Sequence, residues 1–198
     1  MMLPPHLMPK RIPFSRLGGK ETVQQEGQDR DNFHRRIGAR QHRFYTDPAQ
    51  ASNGVVWDIQ GIIGEKAPHD LFGIPWKHEP ERISNPYDIL LNSGLRGECK
   101  YGSKHGHRFG LDERYSHHFD TWDVGILVYP SVSDDIWSDP EVIGFIWHDQ
   151  WWSRHKKRDW GHGGLVHYVE LAEMLNIELL IDYEKRHAQG RPTAIHLF

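Results

Sequence analysis

Asp88, Glu98 and Lys100 have the types and spacing for metal-assisted hydrolysis. Two carboxylates brought together repel and call for a cation between them, and oxygen donors suit Mg²⁺ or Mn²⁺. An ammonium two residues past the second acid lies on the same side of a strand, beside that cation. There it can orient a water and stabilise developing negative charge. The simpler reading is a surface Glu–Lys pair of little energetic weight. The positions of Asp88 and Glu98 in the surrounding elements decide between the two.

Residues 87–91 and 95–101 read as strands flanking the loop Asn92-Ser93-Gly94. A three-residue loop with Gly94 in the left-handed conformation pairs Leu91 with Leu95 and sets Asp88 opposite Glu98. One face then carries Asp88, Leu90, Arg96, Glu98 and Lys100. The other carries Ile89, Leu91, Leu95, Gly97 and Cys99, a coherent core face with Cys99 as a small buried residue. A two-residue turn would put Asp88 and Glu98 on opposite faces. The apolar partition favours the longer loop, because register follows the buried face.

Other elements frame this hairpin. Val55, Val56, Ile59, Ile62 and Ile63 recur at helical spacing after a cap at Ser52 or Asn53, and Glu65 ends the stripe. Pro68 predicts a kink or an end, and Gly73-Ile74-Pro75 a firm stop. Residues 124–129 and 142–147 are continuous apolar runs, expected as strands buried on both faces. Residues 166–169 suggest another short strand. Asn176 can cap a last helix with Ile177, Leu180, Ile181 and Glu184 at helical spacing. The order predicts a mixed α/β or α+β domain without internal repeats.

The ordered set Glu65 in GIIGEKA, Asp88 in NPYDILL, and Glu98 with Lys100 in GECKYG resembles the PD-(D/E)XK nuclease superfamily. The resemblance covers about residues 51–150. It implies a restriction-endonuclease-like fold, a mixed central sheet flanked by helices. It implies Glu65, Asp88, Glu98 and Lys100 as catalytic residues. Asp88, Glu98, the main-chain carbonyl of Cys99 and, through water or a second ion, Glu65 would hold Mg²⁺, with Mn²⁺ substituting. The implied activity is a deoxyribonuclease leaving 5′-phosphates, endo- or exonucleolytic. DNA is the implied partner, a homodimer an admissible assembly, and the cytoplasm of a bacterium or phage-infected cell the implied location.

Two basic segments are candidates for DNA contact. KYGSKHGHRF offers Lys104, His105, His107 and Arg108 next to the proposed catalytic strand. WWSRHKKRDW interleaves Arg154, Lys156, Lys157 and Arg158 with three Trp, a pattern that can grip a backbone and stack bases. Both also read as ordinary solvated loops. A rival zinc hydrolase would draw on His105, His107, His117, His118 and Asp120. A third reading is a nucleic-acid-binding domain of the same fold without activity.

Composition sets the bounds. The 198 residues carry 24 basic and 27 acidic side chains, a net charge of −3 that excludes a histone-like polycation. DNA affinity must therefore rest on local clusters. One cysteine excludes an intrachain disulfide and a multi-cysteine metal site, and fits a reducing compartment. Fifteen histidines predict sensitivity to acid. No apolar run approaches the ~18–20 residues of a membrane span, and prolines break up the N-terminus, so no secretory signal is expected. Residues 1–30 are expected as a poorly ordered basic extension, with 31–198 as one nuclease-like domain. Phe33 and Ile37 suggest a short helix with Arg35, Arg36, Arg40 and Arg43 on a basic face.

Overall fold

The structure, a computed structural model, describes residues 3–36, 54–79, 87–102, 108–132, 135–159 and 165–191. Ile37, Arg40, Arg43, Ser52, Asn53, Pro86, Lys104, His105, His107, Trp160 and the side chain of His118 lie outside the described residues.

The centre of the sheet is β5 (Val124–Pro130). Val124, Ile126 and Val128 enter one core, while Leu127 and Tyr129 enter the other. This is the strand buried on both faces that the apolar run predicts. It pairs antiparallel with β6 (Pro140–Trp147) and parallel with β3 (Arg96–Tyr101). The pairing shifts between Leu127 and Val128, where Ile143 is the extra residue of a bulge: Leu127 faces Gly144 and Val128 faces Val142. The bulge explains why Val142 and Phe145 share one core while Ile143 and Ile146 share the other. Three short strands complete the sheet. β2 (Ile89–Leu90) lies on the far edge of β3, and β1 (Lys10–Arg11) and β9 (Leu175–Asn176) pair with β6.

Helices cover one face. α1 (Gly19–Arg36) packs on α2 (Gly54–Leu71), and Ile59, Ile62, Ile63 and Ala67 of α2 are buried in the shared core. The expectation of a poorly ordered extension over residues 1–30 is corrected: this segment supplies β1 and most of α1. The polar run after Gly19 misled because α1 buries charges as well as apolar groups. Glu26 and Asp31 are buried beside Val23. Of the kink or end expected at Pro68, the end does not occur, since α2 continues three residues past it. The proline forgoes a hydrogen bond to Gly64, and its burial with Ala67 and His69 offsets that loss. The helix stops as predicted at Gly73, with φ +66°. Gly73 N–H reaches the Asp70 carbonyl and Ile74 N–H the His69 carbonyl, a Schellman closure.

A second, antiparallel sheet covers the other face. It consists of β4 (Arg108–Asp112), β8 (Leu165–Glu170) and β7 (Lys156–Asp159), and α3 (His148–Arg154) leads into it from β6. Phe109 of β4 sits directly on Gly125 of β5, where a Cβ would come within 2.4 Å of its ring. Trp122 and Trp151 fill the same core. The last helix, α4 (Ile177–Ala188), begins at Asn176, whose side chain accepts the Glu178 N–H at 3.1 Å. The architecture is mixed α+β. Among the described residues no helix is long and apolar enough to cross a membrane.

Candidate active site

The hairpin register follows the apolar partition. Ile89 pairs with Gly97 and Leu90 with Arg96. Leu91 N–H bonds the Leu95 carbonyl at 2.8 Å, and Gly94 turns with φ +86°. Ile89, Leu91 and Cys99 are buried while Leu90 is 48% exposed. Ser93 ties the loop to α4, its N–H and hydroxyl both donating to the Glu184 carboxylate.

β2 ends where the chemistry would begin. The Arg96 carbonyl accepts from Asp123 and Gly102 N–H donates to Val128, so the even-numbered residues of β3 turn their backbone groups toward β5. The odd-numbered ones face β2. Asp88 N–H donates to the Gly97 carbonyl at 2.8 Å, after which β2 is gone. Cys99 N–H would be an orphan at this edge, and a backbone donor must find a partner. The Asp88 carboxylate supplies it: its Oδ2 accepts from Cys99 at 2.7 Å. The Cys99 carbonyl projects from the same edge.

Glu98 and Lys100 flank Cys99 and project to the opposite face, in register with Gly125 and Leu127 of β5. Their side chains form an ion pair. Glu65 arrives on α2. The helix comes close to β3 because residue 64 is glycine: a Cβ there would lie 3.1 Å from that of Tyr101. Burial raises the Asp88 pKa well above the usual carboxylate range, and Glu98 and then Glu65 add to the rise. Lys100 and the Cys99 N–H act against it. For Lys100 burial acts in the other direction. Burial opposes the ammonium, Glu98 and Asp88 overcome that, and the pKa rises, so the side chain stays cationic. Burial likewise pushes the Cys99 thiol up, as an inert core residue.

Two residues here carried no signal in the sequence. Arg30 of α1 grips Glu65 with both arms of its guanidinium, at 2.7 and 3.0 Å. His69, one turn past Glu65, sets Nε2 3.4 Å from the Asp88 carbonyl and Nδ1 3.3 Å from that of Ile74. Neither is a periodic apolar position or part of a motif. Only the packing of α1 on α2 and the end of α2 bring them in.

The second group of candidates is distributed differently. Arg108 lies in β4, with Nε donating to Glu170 at 3.1 Å and the guanidinium over the Tyr168 ring. Arg154 and the four residues of β7, Lys156–Asp159, are exposed. Lys156 lies 3.7 Å from Glu173 and Lys157 3.6 Å from Glu113. Trp151 is fully buried and Trp152 is exposed, so this segment combines the two readings given for it. Of the zinc alternative, His117 is exposed, and exposed Asp120 lies 3.9 Å from His148 Nε2. Among the described residues, Glu65, Asp88 and Glu98 included, no three His, Cys, Asp or Glu side chains group as a metal would require.

Compared with family models, with curated proteins and with solved structures, the chain finds no match in any of the three.

Proposed function

We propose that the chain is a Mg²⁺-dependent nuclease that hydrolyses phosphodiester bonds of DNA, with a restriction-endonuclease-like arrangement of its main sheet. One observation carries this reading. The Asp88 carboxylate is fixed on the Cys99 N–H at the point where β2 ends, between Glu98 and Lys100 in the order of β3.

Asp88, Glu98 and the Cys99 carbonyl are oxygen donors of the kind a hard divalent cation takes. Burial and then Glu98 raise the cost of ionising Asp88, which a cation between the two carboxylates would relieve. The Cys99 carbonyl adds a third oxygen, and Mg²⁺ accepts a few protein oxygens and keeps several waters. When bound, such an ion polarises a phosphate and makes a coordinated water more acidic.

The chain's own residues do the rest. The Cys99 N–H holds Asp88 in one orientation, so the carboxylate pays no ordering cost when substrate arrives. Lys100, kept cationic by Glu98, orients the attacking water and offsets charge developing on the phosphate. Phe109 and Trp122 pack on the Gly125–Leu127 face of β5, the face to which Glu98 and Lys100 project. Exposed Arg154, Lys156, Lys157 and Arg158 supply phosphate contacts for a duplex.

The test is cleavage of duplex DNA by the full chain after chelation. Mg²⁺ or Mn²⁺ restores activity, and Asp88→Asn and Glu98→Gln do not respond. Restoration by Zn²⁺ alone, or cleavage by either variant at the wild-type rate, would sink the reading.

A further inference from the structure

We infer that Arg30 takes the place of a second metal ion, holding Glu65 out of the coordination shell so that the site binds one divalent cation per chain. This rests on the metal site of the proposed function, with Asp88 and Glu98 as ligands, and not on the cleavage it would support.

Both oxygens of Glu65 are already engaged by the Arg30 fork. The pair is largely buried, with side chains 19% and 15% exposed. Bidentate Arg–carboxylate pairs are strong and geometrically fixed. Mg²⁺ sheds its waters reluctantly and demands near-octahedral donors, so it competes poorly for a carboxylate in that state.

The surrounding packing leaves Arg30 no retreat. Gly61 of α2 forms the notch in which the guanidinium lies, since a Cβ there would stand 3.2 Å from Nη1. One turn earlier on α1, Gly27 meets the Ile59 backbone so closely that a Cβ would come within 3.1 Å of its Cα. Beside it, buried Glu26 binds Lys66 at 2.8 Å and accepts the Trp76 indole N–H at 3.2 Å. Glu26 and Arg30 are therefore pinned to the adjacent residues Lys66 and Glu65. A slide of α1 would break both buried pairs, and a broken buried pair leaves an uncompensated charge.

Counting Mn²⁺ bound to the full chain, by loss of the free-ion resonance signal, tests this directly. Wild type is expected to bind one ion. Glu65→Gln should also bind one, within about tenfold in affinity, the scale of a lost outer-shell contact. Arg30→Met, which removes the charge and releases Glu65, should bind two, and Arg30→Lys one. Two ions on wild type, loss of binding in Glu65→Gln, or a folded Arg30→Met that still binds one would overturn the assignment. If Arg30→Met fails to fold, the wild-type and Glu65→Gln counts decide. One bound ion without DNA cleavage would remove the nuclease reading and leave this one standing. Cleavage with two ions bound would do the reverse.

Discussion

The carboxylate of Asp88 occupies the place of a strand, accepting at 2.7 Å the Cys99 N–H that β2 no longer reaches. The bond gives Asp88 a structural duty beside its proposed catalytic one, and the two can be separated. Asp88→Asn retains an oxygen that can accept from Cys99, so its stability should stay near wild type while cleavage falls by about 10²–10³-fold. Asp88→Ala orphans a buried N–H, at a cost of about 1–3 kcal/mol. Removing a charge that Glu98 and Glu65 disfavour returns part of that. Denaturant midpoints beside single-turnover rates check both; equal loss of stability in the two variants would show that the hydrogen bond contributes nothing.

Gly94 gives the register its second test. At φ +86° a β-branched residue is strained by about 1–3 kcal/mol, although open space surrounds the position. Gly94→Val should therefore lose stability and activity together, since a one-residue slip parts Asp88 from Glu98. Gly94→Asn tolerates the left-handed region and should keep most of both. A Gly94→Val protein with unchanged melting temperature and rate would contradict the role of this turn.

Asp123 predicts one place where strong acid acts on the main sheet. Its carboxylate accepts from Arg96 N–H, Nε and Nη2, at 2.8, 3.0 and 2.8 Å, joining the starts of β3 and β5. The Arg96 hydrogen bonds hold its pKa below the usual carboxylate value. A depressed carboxylate contributes stability that is present above its unfolded pKa and lost as pH falls through the folded one. The window therefore lies below about pH 4. The pair is partly exposed, so its worth is about 1 kcal/mol. Thermal melts of wild type and Asp123→Asn should differ at neutral pH and converge in that window. A constant difference down to the lowest pH would rule out this origin.

The hairpin was legible because apolar and polar residues alternate along it, and the central strands because they are continuous apolar runs buried on both faces. Ile89, Leu91 and Cys99 against Leu90, Glu98 and Lys100 leave one consistent register. α1 was not legible because its inward face is charged. Glu26 and Arg30 find their partners on α2, and pairing between distant residues leaves no period in the sequence. β7 reads as a loop for a related reason: all four of its residues are exposed, and only its pairing with β8 makes it a strand.

The basic edge of the second sheet supplies the last prediction. With a net charge of −3, the chain as a whole repels DNA, so association must rest on local cations. β7 carries three of them on one exposed edge strand, with Arg154 and the half-exposed Trp152 just before it. Side chains alternate along the strand, so Lys156 and Arg158 share one face and Lys157 takes the other. Lys156 and Lys157 lie within 4 Å of Glu173 and Glu113, and surface pairs of this kind exchange readily for a phosphate. Each phosphate contact releases counterions and contributes about one unit of salt slope. Arg158→Ala should therefore weaken duplex binding across about 50–200 mM salt and lower the slope by about one. Cleavage at saturating DNA should hold, because β7 belongs to the second sheet and Asp88 to the hairpin edge of the first. Fluorescence anisotropy over a salt series measures the slope. An unchanged slope in Arg158→Ala and in Lys156→Ala would place the DNA path elsewhere on the molecule.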